Sequence, residues 1–196
     1  MVIGLTGGIG SGKSTIVKMF SEFKNIAIYI ADDEAKKLMS TSPKIKTQLI
    51  AKFGNEVFTN GELNKPYLAS IVFKDKDKLA LLNAIVHPIV KEHLQNFIKN
   101  NYKKSYILYE NAILFENGSD AFCDKIITVT APKDVRINRV VKRDNITVED
   151  VKNRINNQWS ETKKILQSNY LIENISLINA QKQIFKIHNN LTKNFI

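Results

Sequence analysis

The chain has 196 residues, of which 43% are hydrophobic and 24% charged. This composition suits one compact globular domain with small insertions and argues against extended disorder. The 29 basic and 19 acidic residues give a net charge of +10, which favours nucleotides, nucleic acid or acidic membrane surfaces without choosing among them. A single cysteine, Cys123, excludes an internal disulfide framework. Because no apolar run approaches the roughly 20 residues that span a bilayer and the first residues do not resemble a signal peptide, we expect a cytoplasmic protein that makes no use of a membrane.

The first 30 residues predict a strand–helix–strand unit. Residues 2–5 are apolar and lead directly into a glycine cluster, as a buried parallel strand would. The helix that follows has one apolar face, made of Ile16, Val17, Phe20 and Phe23. Residues 26–30 predict a second buried strand, so the unit implies a right-handed crossover and a parallel sheet.

Helical patterns dominate residues 33–104. The clearest is an amphipathic helix with Pro88 near its start and an apolar face of Val90, Leu94, Phe97 and Ile98. A stretch rich in turn residues lies between positions 53 and 65. We interpret the region as a helical insertion between core strands.

Strands then resume at residues 106–109, 126–129 and 170–172. Between the last two lies a basic helix, followed by a pattern at Thr147 to Asp150 that is typical of a helix-start capping box. A closing amphipathic helix is indicated by Ile184, Ile187, Leu191 and Phe195. Strands that alternate with helices predict an α/β fold, doubly wound around a parallel sheet.

Residues 7–14, GGIGSGKS, match the pattern G-x-x-x-x-G-K-[ST] completely. Glycines let the backbone wrap so that successive N–H groups point at phosphate oxygens, and the next helix presents its positive N-terminus to the same anion. Lys13 is expected to reach the β and γ phosphates, and Ser14 to offer a hydroxyl to Mg²⁺. Because the motif stands between a predicted strand and a predicted helix, it predicts binding of a nucleoside triphosphate.

Other charged residues each allow two interpretations. Asp32, just after the second strand, is either a base or Mg²⁺ ligand or a helix N-cap. Glu110, at the end of the third strand, is either an acid that holds Mg²⁺ or a cap of the next segment. Arg136, Arg139 and Arg143 share a helical face that suits either phosphate oxygens or solvent.

The chain resembles the dephospho-CoA kinase family along nearly its whole length. The match opens with residues 4–15, GLTGGIGSGKST, which many kinases share. More specific elements follow in the family's order: Ala31-Asp32, Phe53-Gly54, residues 61–65, residues 71–73, His87-Pro88, LFENG at 114–118, Arg139 with Arg143-Asp144, Arg154-Ile155 with Gln158, and residues 172–174. The family's first Asp in its Asp-Ala-Asp motif is Ile30 here, its Asp and Pro before the Leu-Phe-Glu element are Glu110 and Ala112, and its frequent Asp-Arg is Asn64-Lys65.

The resemblance implies that the γ-phosphate of ATP is transferred to the ribose 3′-hydroxyl of dephospho-CoA. It also implies a P-loop kinase with a five-stranded parallel sheet: a nucleotide-binding core (1–32, 104–134, 166–196), a helical substrate domain (33–103) and a lid (135–165). The implied catalytic residues are Asp32 as base, Lys13 and Arg139. The implied ATP site comprises Gly8, Ile9, Gly10, Ser11, Gly12, Lys13, Ser14, Thr15, Arg139, Arg143 and, near the adenine, Asn174. Substrate-side positions are Asp32, Lys65, His87, Leu114, Phe115 and Glu116, while Ser14 and Glu110 are the candidates for Mg²⁺.

Two other functions are compatible with the residues. One is another P-loop kinase of a small molecule, such as a nucleoside or nucleotide kinase. The other is a non-enzymatic nucleic-acid-binding module, suggested by the net charge alone. The kinase interpretation requires no nucleic acid as partner, and we expect a monomer or weak homo-oligomer. Trp159, next to Gln158, is either a substrate contact or a packing residue.

Overall fold

The computed structural model describes residues 1–72 and 74–193, so Phe73 and the predicted core residue Phe195 lie outside the described residues. The chain divides into two compact units, one of residues 1–29 with the chain from 101 onward, the other of residues 30–100. The strands and helices of the first unit, in chain order, are β1 (Val2–Thr6), α1 (Lys13–Phe20), β2 (Ile26–Ile30, whose last residue falls in the second unit), β5 (Tyr106–Glu110), β6 (Lys125–Thr130), α6 (Lys133–Asp144), α7 (Val148–Asn156), α8 (Glu161–Leu166), β7 (Tyr170–Glu173) and α9 (Leu177–Thr192). Those of the second unit are α2 (Ala31–Thr41), α3 (Pro43–Phe53), β3 (Phe58–Thr59), β4 (Glu62–Leu63), α4 (Lys65–Val72) and α5 (Lys76–Asn100).

Five strands of the described chain form one sheet in the order β2-β5-β1-β6-β7. The pairings of β1 with β5, of β1 with β6 and of β6 with β7 are parallel. Leu5 is opposite Glu110 on one side and Ile127 on the other. The segments that follow β1, β5 and β6 therefore leave the sheet at one edge, where ligands bind in open α/β sheets. The predicted parallel sheet and each predicted strand are confirmed.

The central strands form because their residues are apolar on both faces. Every residue of β1 and of β5 is buried. Helix α1 covers the sheet with Ile16, Val17 and Phe20, and α9 covers it with Ala180, Ile184, Ile187 and Leu191. Burial of whole helix faces against the sheet is the dominant stabilising contribution, at about 25 cal/mol per Å² of apolar surface removed from water.

Helix α7 begins as its sequence predicts. Thr147 is the N-cap, its hydroxyl accepts the Asp150 N–H at 3.1 Å, and the Asp150 carboxylate accepts the Thr147 N–H at 3.1 Å. This reciprocal pair is the predicted capping box. Helix α6 ends just before it at Asp144, and the C-cap residue Asn145 has a left-handed backbone with φ of 52°.

In the second unit, the apolar cluster joins α3, α4 and α5 around Ile45, Leu49, Val57, Leu68, Val72 and Ile85. The turn-rich stretch forms a 3₁₀ turn and the short antiparallel hairpin of β3 and β4. Asn60 and Gly61 connect the two strands with positive φ of 51° and 85°, as a two-residue hairpin turn requires.

Pro88 lies inside α5, which begins at Lys76, so the prediction that it stands near the start of the helix is wrong. The Asp75 carboxylate caps the true start by accepting the Asp77 and Lys78 N–H groups at 2.9 and 3.2 Å. An internal proline costs roughly 3 kcal/mol. The helix continues through Pro88 because residues on both sides of the proline are buried, Ile85 and Val86 before it and Leu94 after it.

Among the described residues, no helix is both long and apolar enough to cross a bilayer.

Candidate nucleotide site

The phosphate loop, residues 7–12, connects β1 to α1. Gly10 and Gly12 have φ of 78° and 89°, a region that L side chains rarely adopt. A Cβ at Gly10 would also overlap the Arg136 backbone, and one at Gly12 would overlap the Asn174 amide. Gly12 caps α1 without a side-chain hydrogen bond. The first turn of α1 therefore presents its amides, with the positive end of the helix dipole, to an anion.

Lys13 and Ser14 begin α1. The Lys13 Nζ donates to the Gly7 carbonyl at 2.9 Å, so the ammonium lies over the loop. Ser14 is exposed, and Thr15 is half-buried. The side chains of Lys13 and Ser14, predicted to bind the phosphates and Mg²⁺, thus project from the start of one helix.

Glu110 is the last residue of β5 and is buried, with 7% of its surface exposed. It lies opposite Leu5, near the point where β1 enters the phosphate loop. Carboxylate and hydroxyl oxygens are the donors that Mg²⁺ prefers, and Mg²⁺ completes its shell with water and phosphate. Glu110 and Ser14 fit this ion by donor type, whereas the described residues contain no group of three His, Cys, Asp or Glu arranged to hold a metal.

The three arginines of α6 have different partners. Arg136 is buried, its Nε donates to the Ile9 carbonyl at 2.9 Å, and its Nη1 lies 3.2 Å from Glu161 Oε1. Arg143, whose side chain is 64% exposed, instead lies 2.7 Å from Asp144. The predicted basic face is therefore divided, since its first arginine is tied to the phosphate loop and its last faces solvent.

Arg139 is bound to carbonyl groups on two segments of the site. Its Nη1 donates to the Gly10 and Ser11 carbonyls at 3.4 Å, and its Nη2 donates to the Asn174 carbonyl at 2.8 Å. These contacts hold the guanidinium beside the phosphate loop. Because the carbonyl acceptors are neutral, they do not neutralise its positive charge.

Beyond β7, Asn174 connects to the phosphate loop. Its Nδ2 donates to the Ser11 carbonyl at 2.9 Å, while its own backbone N–H donates to the Thr130 carbonyl at 2.8 Å. Asn174 Oδ1 and Ser11 Oγ are buried without a hydrogen-bond partner among the described residues. Buried polar groups are normally paired, so Oδ1 is an acceptor whose donor the described residues do not supply.

The segment after β5, residues 111–118, is called here the post-β5 loop. Leu114 is fully buried, and the ring of Phe115 stacks on Trp159 with centroids 5.5 Å apart and an angle of 3°. Glu116 Oε1 accepts the Trp159 N–H at 2.9 Å and lies 2.8 Å from Lys164 Nζ. Burial alone would raise the pKa of Glu116, but the hydrogen bonds from Lys164 and Trp159 outweigh it, and the pKa is lowered. Glu116 is therefore ionised at neutral pH.

Three of the residues expected in the site belong to the second unit. Asp32 lies in the first turn of α2, whose N-cap is Ile30, so the alternative that Asp32 is an N-cap is wrong. Lys65 begins α4, and His87 precedes Pro88 in α5.

Sequence reasoning missed several residues that build the site. In the sequence Gln158 is only part of a motif, yet its Oε1 accepts the Ile9 N–H at 2.9 Å. No sequence pattern singles out Glu161, although its carboxylate accepts hydrogen bonds from Arg136 and from the Thr130 hydroxyl. Lys164, only 1% exposed, carries no signal in the sequence, because it reads as one of many lysines.

The sheet order, the crossover connections and the glycine-wrapped loop define a P-loop kinase fold. Comparison with known proteins supports this assignment. The family model for dephospho-CoA kinase matches residues 1–179. A curated dephospho-CoA kinase of Bacteroides fragilis is 40% identical over 172 residues, which cover 88% of this chain and 83% of that protein.

Two solved structures agree in fold. A Thermus thermophilus protein, 27% identical, superposes with a TM-score of 0.82 over 97% of this chain and 96% of that one. The dephospho-CoA kinase of Campylobacter jejuni, 21% identical, gives a TM-score of 0.73 over 100% of this chain and 98% of that one. The chain belongs to the dephospho-CoA kinase family.

Proposed function

We propose that this protein transfers the γ-phosphate of ATP to the ribose 3′-hydroxyl of dephospho-CoA, the final step of coenzyme A synthesis. The observation that carries the proposal is a complete phosphate loop, with left-handed glycines and Lys13 laid over it, in a chain of the dephospho-CoA kinase family. The loop supports the binding of a nucleotide, and membership of the family supports dephospho-CoA as the acceptor.

ATP would bind with its phosphates on the amides of the loop and of the first turn of α1. Lys13 would neutralise charge on the β and γ phosphates, and Arg139 would add a second cation from the other side of the loop. Arg139 needs little rearrangement for this, since carbonyl groups already hold it there. Asn174 would pair with the adenine through its unpartnered Oδ1, and Arg143 would approach the phosphates from the lid.

Mg²⁺, held by the Ser14 hydroxyl with Glu110 contributing a carboxylate, would neutralise negative charge on the phosphates when bound. The protein's own residues then have two further tasks. They must orient the acceptor hydroxyl for in-line attack, and they must keep water away so that ATP is not hydrolysed without an acceptor.

Asp32 would accept the proton of the attacking hydroxyl, with Lys65, His87 and the post-β5 loop binding the rest of the acceptor. Asp32→Asn keeps the size of the side chain but removes the base, so kcat should fall by about 10²–10⁴-fold with a smaller change in KM. Asp33→Asn is the matched control, because Asp33 pairs with the exposed Lys36 on the same helix turn. Equal turnover of the two variants would remove Asp32 from the role of base.

The function is tested by a coupled assay of ADP release with dephospho-CoA, with mass spectrometry of the product to detect one added phosphate. A panel of nucleosides and nucleoside monophosphates tests the alternative small-molecule kinases. Faster turnover of any member of that panel than of dephospho-CoA would refute the proposal.

We also propose that the protein acts in the cytoplasm as a monomer or weak homo-oligomer, and that it requires neither nucleic acid nor a membrane. Its basic charge then serves ligands that are themselves polyanions. Sedimentation across a concentration series measures the oligomeric state. Tight, salt-sensitive binding to DNA or RNA that ATP does not displace would contradict the proposal.

A further inference from the structure

Residues 158–164, called here the clasp segment, hold the phosphate loop and the post-β5 loop at the same time. Gln158 Oε1 accepts the Ile9 N–H of the phosphate loop at 2.9 Å. The next residue, Trp159, donates its backbone N–H to Glu116 Oε1 of the post-β5 loop, also at 2.9 Å. Neighbouring residues of one segment therefore hold the phosphate loop and the post-β5 loop.

Lys164 completes the attachment to the post-β5 loop. Its Nζ lies 2.8 Å from Glu116 Oε1 and donates to the Ala112 carbonyl at 3.0 Å. The side chain is 1% exposed, whereas that of Glu116 is 15% exposed. A buried ammonium is costly unless it is paired, and replacing such a pair by apolar side chains often costs no stability. Stability alone therefore does not explain a lysine at this position.

The geometry of these contacts specifies one conformation of the loop. Lys164 binds the loop at two points, the Ala112 backbone and the Glu116 side chain, and Phe115 stacks on Trp159 between them. Glu116 Oε1 already accepts two donors, and Oε2 is buried without a hydrogen-bond partner in the described part of the chain. Glu116 is thus held by contacts within the protein through Oε1.

We infer that Lys164 is a positioning residue, which acts through Glu116 and the Ala112 carbonyl to hold the post-β5 loop in the conformation that receives the acceptor. The inference rests on the proposed function, which puts Leu114 to Glu116 on the acceptor side. Lys164 does not touch the reacting atoms. Its effect is on the binding of the acceptor, while the separate bond from Gln158 to Ile9 preserves the phosphate loop.

The test compares Lys164→Met with Lys186→Met, a matched change at an exposed lysine of α9. We expect Lys164→Met to raise the KM for dephospho-CoA about tenfold and to change the KM for ATP less than about twofold. Lys164→Arg, which retains the charge and the donors, should recover much of the loss. An unchanged KM for dephospho-CoA, or equal rises in both KM values, would overturn the inference.

A double variant keeps the test decisive if Lys164→Met alone leaves Glu116 unpaired and fails to fold. Lys164→Met with Glu116→Leu removes both charges, so it should fold. Because it lacks the contacts of Lys164 with both Glu116 and the Ala112 carbonyl, the double variant should still have a raised KM for dephospho-CoA and a nearly unchanged KM for ATP. A KM for dephospho-CoA equal to that of the wild type, or equal rises in both KM values, would overturn the inference.

Trp159, the sole tryptophan of the chain, gives a readout that does not depend on activity. Loss of the Lys164 contact should loosen the stack with Phe115 and shift Trp159 emission to longer wavelength, while Lys186→Met leaves it unchanged. Emission identical to that of the wild type would refute the positioning role. If the wild type fails to phosphorylate dephospho-CoA, the proposed function fails instead, and the emission of Trp159 still decides whether Lys164 holds the loop.

Discussion

Arg136→Met is the substitution whose effect can be worked out most fully from the structure. The methionine keeps most of the buried stem of Arg136 but removes the guanidinium. The Ile9 carbonyl then loses the donor that now lies 2.9 Å away, and Glu161 loses the cation that lies 3.2 Å away. The first contact connects α6 to the phosphate loop and the second connects α6 to α8, so the substitution tests whether this arginine serves structure.

The two losses have different sizes. A partly buried carbonyl left without a donor costs about 1–3 kcal/mol. Glu161 loses less, because its side chain is 26% exposed and it still accepts the Thr130 hydroxyl. The free energy of unfolding should therefore fall by about 2–4 kcal/mol, which lowers Tm by about 5–15 °C in a protein of this size.

Thermal unfolding followed by circular dichroism measures the change, with Arg143→Met as the control on the same helix. Arg143 is mostly exposed, and its partner Asp144 keeps a second cation, Arg154, at 2.8 Å, so the loss of Arg143 should shift Tm far less. Hydrogen bonding to Asp144 raises the pKa of Arg143, and the same contact lowers the pKa of Asp144. If Arg143→Met lowers Tm as much as Arg136→Met does, the argument from burial is refuted.

Three further predictions use contrasts within the chain. Gly12→Ala should abolish nucleotide binding, as measured by calorimetry. It should also destabilise the fold by more than the roughly 1–2 kcal/mol that a left-handed alanine costs, because the new Cβ overlaps Asn174. Gly61→Ala is the control and should cost only that strain, because Gly61 has φ of 85° and open space around it. Lys13→Ala should lose nearly all phosphoryl transfer at saturating acceptor, and normal ADP release would contradict the assignment of the loop. Burial lowers the pKa of His188 from 6.5, so at low pH the unfolded chain binds a proton that the folded state does not. The free energy of unfolding, measured by chemical denaturation, should therefore fall as pH drops through about 6.5 and below. The same measurement on His188→Gln should show a flatter pH dependence.

The strands and the phosphate loop could be predicted because their signals are local. A short apolar run bounded by turn residues indicates a buried strand, and the spacing of Gly7, Gly12 and Lys13 defines an anion cradle whatever lies around it. The capping box at Thr147 is equally local. The start of α5 was misjudged, because Pro88 is a strong local signal and the burial that outweighs it comes from residues on distant segments.

The arginines of α6 show where local reasoning ends. Their spacing places them on one helix face, but it does not say which of them reaches the phosphate loop and which reaches solvent. Arg136 is buried because Ile9 and Glu161 meet it from two other segments, whereas Arg143 finds Asp144 next to it in the chain.

The amino-acid order by itself determined the α/β class, the position of the phosphate loop and the family, since each depends on patterns within short stretches or on motifs that follow one another. The tertiary structure alone decided which polar groups became partners, as with Lys164 and Glu116 or Gln158 and Ile9. Those partners are far apart in the chain, and a hydrogen bond needs two atoms within about 3 Å. That distance results from the packing of the whole unit, which no single segment encodes.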